Sequence, residues 1–157
     1  MDKKRFNIVL VAPEIPGNTG SIGRTCVALN LRLVLIKPYG FEITEKAVRR
    51  AGLDYWKHVE ITEYDNFDEF LRNEKPKDSQ LFFFENHKEK NFYNAGYEED
   101  CYLIFGSETK GIPQDILDRY PDSIVSLPQY SEHIRSLNLS NAATTAAYEC
   151  LRCIEFN

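Results

Sequence analysis

Short apolar runs alternate along the chain with longer segments in which apolar residues recur at helical spacing. Runs such as NIVLV at 7–11, LFFF at 81–84 and YLIF at 102–105 are almost continuously hydrophobic. Such runs are typical of parallel strands that are buried on both faces of a sheet. The pattern predicts six strands, at residues 6–11, 33–36, 59–62, 80–84, 102–105 and 123–127.

Segments with helical periodicity lie between these strands. The final segment is the clearest, because apolar or small residues such as Leu139, Ala143, Ala146 and Cys150 recur three or four positions apart. The strands and helices alternate, which indicates an α/β fold with a mostly parallel sheet and helices on both faces. A length of 157 residues suits a single domain spanning residues 1–157. The predicted helices are residues 19–30, 45–51, 67–73, 113–119 and 139–154.

The overall composition narrows the class of protein. With 43% hydrophobic and 27% charged residues, the chain is typical of a water-soluble globular protein, and no apolar run is long enough to cross a bilayer. The N-terminus leads into a strand without a signal-peptide core, so we expect a cytoplasmic protein. A net charge of −5 argues against a general nucleic-acid coat protein but leaves room for a local basic site.

The four cysteines are expected to be reduced thiols in the core of a cytosolic protein. Cys150 and Cys153 have the CxxC spacing of some metal sites, but no second CxxC accompanies them, and the nearest preceding histidine is His133. Packing within the final helix is therefore favoured over zinc or redox chemistry, and we expect no metal.

The loop after the first strand, residues 12–25, is rich in proline, glycine and asparagine. Ligands of a parallel α/β sheet bind beyond the carboxyl ends of the strands, so this loop is a candidate site. Asn18 is placed to cap the following helix, whose N-terminus would favour an anion. Arg24 lies off the apolar stripe that includes Ile22 and Cys26. A solvated arginine and a phosphate contact are both open interpretations of it.

Two further loops that follow strands carry polar side chains. Residues 106–113 have the glycine spacing of a phosphate loop, but Ile112 and Pro113 stand where Lys and Ser or Thr are needed. Glu108 in this loop is interpreted slightly more readily as a turn carboxylate than as a catalytic group. Residues 127–142 offer more small polar groups than one helix cap requires, so some should face a ligand or another chain. These groups are Ser136, Asn138, Ser140 and Asn141.

Four segments, taken together, carry a family resemblance. They are NIVLVAPEIPGNTGSIGRTC, RRAGLDYW, YLIFGSETKGIP and SLNLSNAATTAAYECLR. In order and spacing they resemble the SPOUT class of RNA methyltransferases. Within that class the chain is similar, over nearly its whole length, to the compact bacterial tRNA (cytidine/uridine-34 2'-O)-methyltransferase family, also called TrmL/YibK-like. It departs from the family pattern at Ser107, where proline is common, and at ENHKEKNF, residues 85–92, where a Thr-Lys-Gly-like segment is usual.

The resemblance implies an α/β fold with a C-terminal trefoil knot, a homodimer, and S-adenosyl-L-methionine held in the knot. The implied reaction is methyl transfer to the ribose 2'-hydroxyl of the tRNA wobble nucleotide, position 34, either cytidine or a modified uridine. Much of the cofactor contact would come from backbone groups, and a side chain at Gly106 would obstruct close approach to the adenosine. By matching motifs, the cofactor-binding residues are Phe84, Gly106, Leu127 and Ser136.

The matching motifs also imply catalytic positions. Arg24 would be the main one, with Asn18, Glu108 and Asn138 orienting either Arg24 or the ribose. A guanidinium keeps its proton above pH ~12, so we expect Arg24 to anchor phosphate and stabilise charge rather than to act as the base.

Recognition of the tRNA anticodon stem-loop needs a local basic surface. This surface could be supplied by Lys46, Arg49 and Arg50 together with Arg24. Basic residues at a solvated helix end are the other interpretation, because cations there complement the helix dipole. Tyr148 could stack on RNA or belong to the core, and the two interpretations are equally open.

Two other functions are compatible with the same resemblance. One is a SPOUT methyltransferase that acts on ribosomal RNA, which the lack of an extra RNA-binding domain in 157 residues weakens. The other is a non-catalytic RNA-binding module, against which the joint retention of Asn18, Arg24, Glu108 and Asn138 counts. We also expect an obligate dimer, because the alanine-rich face of the last helix and the Gly-rich first loop would expose apolar surface in a monomer.

Overall fold

The computed structural model describes residues 3–41, 53–86 and 88–156, and a six-stranded sheet lies at its centre. Each pair of neighbouring strands in that sheet is parallel. The six predicted strands are confirmed, although the last is only two residues long. The strands are β1 (Asn7–Val11), β2 (Arg32–Ile36), β3 (Glu60–Tyr64), β4 (Leu81–Phe84), β5 (Tyr102–Phe105) and β6 (Ile124–Val125).

The order of the strands creates a switch point in the middle of the sheet. The order is β3-β2-β1-β5-β4-β6, so the first three strands extend the sheet to one side and the last three extend it to the other. Leu10 of β1 is in register with Phe105 of β5, which places the carboxyl ends of these two strands side by side. Open parallel sheets bind ligands at such a point, because the loops diverge there and leave a crevice.

Four α-helices among the described residues flank the sheet. Asn66 caps the second helix by accepting a hydrogen bond from the Glu69 backbone N–H at 2.8 Å, and Asn138 caps the fourth by accepting from the Ser140 backbone N–H at 2.9 Å. The predicted helix at 45–51 lies outside the described residues. The helices are α1 (Pro16–Leu29), α2 (Phe67–Glu74), α3 (Gln114–Arg119) and α4 (Leu139–Glu155).

The two faces of the sheet are covered by different helices. Successive strand residues point to opposite faces, so Ile8 and Leu10 of β1 lie in the same cluster as residues of α1 and α4. Val9 and Val11 lie in a second cluster with residues of α2 and α3. The predicted α/β fold with helices on both faces of a parallel sheet is confirmed.

The alanine-rich face of α4 points inward. Ala143, Ala146 and Ala147 are fully buried and belong to the cluster that covers one face of the sheet. The expectation that this face would be exposed in a monomer is therefore wrong. Small side chains let α4 lie close to its neighbours, and the hydroxyls of Thr25 on α1 and Thr144 on α4 are 2.7 Å apart.

Three of the four cysteines are buried in the core, as expected, and Cys153 is half-buried against it. Cys101 and Cys150 are buried free thiols whose Sγ atoms are 3.6 Å apart, and burial raises the pKa of the Cys26 thiol to about 12. Within the described ranges, no group of three or more His, Cys, Asp or Glu side chains is arranged to hold a metal ion. No helix in that part of the chain has the length and apolar character needed to span a membrane.

Gly23 of α1 packs against the 3-10 helix Leu53–His58. A Cβ atom at Gly23 would lie 2.4 Å from a ring carbon of Trp56. We expect Gly23→Ala to lower the free energy of unfolding by about 1–3 kcal/mol, because the added methyl overpacks a buried contact. Gly17→Ala is the matched control on the same helix, since nothing lies within 4 Å of its Cβ position. Denaturant titration should separate the two variants, and equal stabilities would contradict this packing.

Candidate active site

A cavity of about 310 Å³ lies at the switch point, beyond the carboxyl ends of β1, β4 and β5. Its volume is at the lower end of the range of small-molecule sites, roughly 300–1,000 Å³. The wall is formed by the three loops that the sequence singled out, together with the first residues after β4. The chain therefore brings these loops together at one edge of the sheet, although they are far apart in sequence.

One wall of the cavity is aromatic. The rings of Phe84 and Phe105 stack with their centroids 4.7 Å apart and an interplanar angle of 13°. Both side chains are largely buried at the ends of neighbouring strands, and both line the cavity. Leu127 and Ser136 line it as well, so Phe84, Leu127 and Ser136 are brought together as the sequence predicted.

Gly106 lines the cavity, but its physical role differs from the expected one. A Cβ atom there would lie 2.0 Å from the backbone carbonyl carbon of Gly111 and 2.2 Å from the backbone nitrogen of Ile112. The loop folds back on itself, and the Gly111 N–H donates to the Ser107 carbonyl at 3.0 Å. Glycine is required here because the loop's own backbone occupies the space that a side chain would need.

Two carboxylates join the loop after β1 to the loop after β5. Glu108 accepts hydrogen bonds from the backbone N–H groups of Glu14 at 2.8 Å and Ile15 at 2.9 Å. In return, Glu14 accepts from the Thr109 hydroxyl at 2.6 Å and the Thr109 backbone N–H at 3.1 Å. These bonds from Thr109, with a further one from Ser107, hold the pKa of the Glu14 carboxyl below its ordinary value. We call this arrangement the loop clamp.

Asn18 belongs to the same network and does not cap α1. The helix begins at Pro16, earlier than predicted, so Asn18 lies inside its first turn. Its amide donates to Glu108 Oε2 at 3.1 Å and its Oδ1 accepts from Asn138 Nδ2 at 3.1 Å. The Glu108 carboxylate next to the helix start replaces a side-chain cap and complements the helix dipole. Three of the four predicted catalytic residues are therefore in direct contact.

Arg24 is the predicted catalytic residue that the chain does not bring into the cavity. It is exposed on α1, and its Cζ lies 5.4 Å from the centroid of the Tyr55 ring. Within the described residues it makes no ion pair or hydrogen bond. Its position off the apolar stripe of Ile22 and Cys26, both fully buried, is confirmed. No group in the described part of the chain occupies the guanidinium donors, which can therefore bind a ligand there.

Comparison with known proteins decides the family. The model of the SpoU rRNA Methylase family matches residues 5–148. The chain belongs to the SpoU rRNA methylase family. This match confirms the family resemblance found in the four sequence segments.

Relatives at about 40% identity are similar to this SpoU chain over nearly their whole length. A tRNA (cytidine(34)-2'-O)-methyltransferase of Burkholderia ambifaria is 40% identical over 148 residues, which cover 94% of this chain and 94% of the relative. A structure solved to give insight into the 2-OH methylation of C/U34 on tRNA is 40% identical with a TM-score of 0.86, covering 94% of this chain and 95% of that one. The AdoMet-bound rRNA methyltransferase of Sinorhizobium meliloti shares the fold at 22% identity and a TM-score of 0.83, covering 96% of this chain and 57% of that one.

The predicted RNA-binding residues of this SpoU chain fall into two groups. Lys46, Arg49 and Arg50 lie outside the described residues, so their role stays a prediction. Tyr148 on α4 is 54% exposed, which excludes the core interpretation and leaves its ring accessible to a partner.

Sequence reasoning missed several residues of the cavity wall. Glu85 and Asn86 follow β4 directly, and Gln129 and Arg135 come from the loop that leads into α4. For Glu85 and Asn86, the position just after a buried strand was an available signal, since strand ends at this edge contribute to the crevice. Gln129 is notable because its Nε2 is buried and has no acceptor among the described residues.

The chemistry available to this SpoU cavity is binding and orientation. Its described lining contains no histidine or cysteine, so it offers no imidazole base and no thiolate nucleophile. It does offer an aromatic wall, the backbone of a tight loop, and small polar side chains such as Ser136 and Asn138. This combination fits a nucleoside-sized ligand that itself carries the reactive group.

Proposed function

We propose that this SpoU-family chain transfers a methyl group from S-adenosyl-L-methionine to the ribose 2'-hydroxyl of nucleotide 34, the wobble nucleotide of tRNA, cytidine or a modified uridine. The observation that carries the proposal is the 40% identity, over 94% of both chains, to an enzyme named for this reaction on cytidine 34. The family description mentions rRNA, but the relatives of similar length favour tRNA as the substrate.

The cavity fits the adenosine part of the cofactor. The stacked Phe84 and Phe105 rings supply an apolar wall, and the buried Gln129 Nε2 donor is satisfied when a ligand presents an acceptor. When bound, S-adenosyl-L-methionine supplies a methyl group on a cationic sulfonium. The residues that would hold it are Phe84, Gly106, Leu127 and Ser136.

In this reaction Arg24 anchors a phosphate beside the target ribose. Its planar guanidinium would make two parallel hydrogen bonds to a phosphate and so fix the nucleotide with its 2'-hydroxyl directed towards the cofactor. Because a guanidinium does not release its proton near neutral pH, a phosphate oxygen or a water accepts the hydroxyl proton. The contacts among Asn18, Glu108 and Asn138 keep α1 in position for this task.

The functional unit in this proposal is a homodimer. Arg24 does not line the cavity of its own chain, so in this proposal a second copy supplies the arginine to each site. Ile15 and Leu137 on the cavity wall are 47% and 41% exposed, and Tyr148 is 54% exposed. A second copy that covers these side chains would bury apolar surface that a monomer leaves in water.

The proposal includes the C-terminal trefoil knot. Its support is the close association of residue 126, just after β6, with the connection between β4 and β5. The Ser126 N–H donates to the Lys90 carbonyl at 3.0 Å, and the Ser126 carbonyl accepts from the Phe92 N–H at 3.0 Å. The chain then returns from the edge of the sheet to Asn138 beside Asn18, which is the path that threading through this connection would require.

RNA recognition completes the proposal. Lys46, Arg49 and Arg50 would contact phosphates of the anticodon stem-loop, and the exposed Tyr148 would stack on a base or donate a hydrogen bond. A chain of net charge −5 then binds RNA through a few local contacts in the cytoplasm rather than through a generally basic surface.

Methyl transfer to bulk tRNA with labelled S-adenosyl-L-methionine tests the proposed function. We expect label in tRNA, and nucleoside mapping should place it on the 2'-oxygen of nucleotide 34. Label in ribosomal RNA alone would establish the alternative substrate. RNA binding without any methyl transfer would overturn the enzymatic proposal.

A further inference from the structure

Glu85 places a carboxylate in the wall of the cavity. It is the first residue after β4, and its backbone N–H donates to the Val125 carbonyl at 3.0 Å. Its side chain is half-buried, and Oε2 accepts a hydrogen bond from the Ile112 backbone N–H at 3.0 Å. In the described part of the chain, Oε1 receives no hydrogen bond. The carboxylate is therefore fixed through Oε2 alone, and Oε1 has no donor.

The charge of Glu85 is in a different environment from the charges of the three other ionisable side chains that line the cavity. Glu108 is held by three donors at the start of α1, where the positive end of the helix dipole offsets part of its negative charge. Lys110 and Arg135 are both exposed, and one Arg135 nitrogen lies 3.5 Å from the Thr109 carbonyl. Solvent screens these exposed cations more strongly than it screens a half-buried carboxylate.

We propose that Glu85 is a specificity-determining residue that makes the cavity prefer the cationic cofactor to its neutral product. The inference rests on the proposed function, in which the cavity binds S-adenosyl-L-methionine and is left with S-adenosylhomocysteine. The two molecules differ by one methyl group and one positive charge at sulfur. A negative charge fixed in the cavity wall attracts the sulfonium and has no equivalent attraction for the thioether.

The size of the effect follows from charge separation within a small cavity. At a separation of about 6–8 Å and an effective dielectric constant of about 20, a single charge pair is worth on the order of tenfold in affinity once solvent screening is included. The preference weakens product inhibition, because the product loses the attraction when the methyl group leaves. Glu85 thus promotes turnover without contact with the reacting atoms.

Calorimetric titration of both ligands into the parent protein and three variants tests this inference. Glu85→Gln removes the charge and keeps an oxygen that can accept from the Ile112 N–H. Glu89→Gln is the matched control, since Glu89 is exposed four residues further along and does not line this cavity. Glu85→Asp keeps the charge on a shorter side chain.

We expect Glu85→Gln to reduce the ratio of S-adenosyl-L-methionine affinity to S-adenosylhomocysteine affinity by about three- to tenfold. The ratio should stay within about twofold of the parent in Glu89→Gln and Glu85→Asp. If Glu85→Gln weakened the binding of both ligands equally, the inference would be overturned and Glu85 would be a structural residue. An affinity ratio for Glu85→Asp as low as that for Glu85→Gln would overturn it as well. Failure of the parent protein to bind either ligand would instead overturn the proposed function.

Discussion

Replacement of Arg24 with alanine is expected to reduce single-turnover methyl transfer to tRNA by at least about 100-fold, equivalent to about 2.7 kcal/mol of barrier. The side chain is exposed, and its described contact is with the ring of Tyr55. An exposed cation–π contact contributes only about 0.5–1 kcal/mol, so the free energy of unfolding should fall by no more than about 1 kcal/mol. A large loss of rate with nearly full stability is the result that identifies a functional arginine.

Arg24→Lys tests the kind of contact that Arg24 makes. Lysine keeps the positive charge but loses the planar fork, so bidentate phosphate anchoring predicts a strong loss of rate even though the attraction survives. Arg72→Ala is the matched control, because Arg72 is also exposed but lies on α2. A rate for Arg24→Ala within about threefold of the parent would show that Arg24 is not the catalytic residue.

Removal of the Glu108 carboxylate is expected to weaken S-adenosyl-L-methionine binding by at least about 30-fold. Glu108→Ala leaves the N–H groups of Glu14 and Ile15 and the amide of Asn18 without their acceptor. The N–H groups of Glu14 and Ile15 are exposed and can bond to water, but the Asn18 side chain is buried, and a buried amide left without its acceptor costs about 1–3 kcal/mol. The loop clamp should therefore open, and the loops after β1 and β5 should no longer be held in position around the cavity. Calorimetric titration of the cofactor measures this loss directly.

Two comparisons make the Glu108 prediction specific. Glu14→Ala removes the other half of the loop clamp, but its partner Thr109 is exposed and can bond to water, so a smaller loss is expected. Glu132→Ala changes an exposed carboxylate in the loop before α4, and cofactor affinity should not change. A Glu108→Ala variant that binds the cofactor within about threefold of the parent would rule out a positioning role for this residue.

The sequence by itself determined the elements of this fold, because their signals are local. Continuous apolar runs such as LFFF and YLIF predicted buried parallel strands, and β4 and β5 cover the same residues. The apolar spacing from Leu139 predicted α4, with Asn138 correctly placed at its start. The loops of the site were found for the same reason, since proline, glycine and asparagine after a strand are visible without any knowledge of the partner loops.

Only the tertiary structure decided which of these residues meet and what they do for one another. Glu108 accepts a hydrogen bond from the backbone N–H of Glu14, 94 residues away, and this bond depends on β5 pairing with β1, which no local pattern encodes. The same pairing explains why Asn18 binds a carboxylate and does not cap α1. Gly106 is glycine because the loop after β5 folds back on its own backbone, and Glu85 faces the cavity because β4 ends there. Contacts of this kind arise when distant strand ends share one edge of the sheet, so they become visible only once the chain has folded.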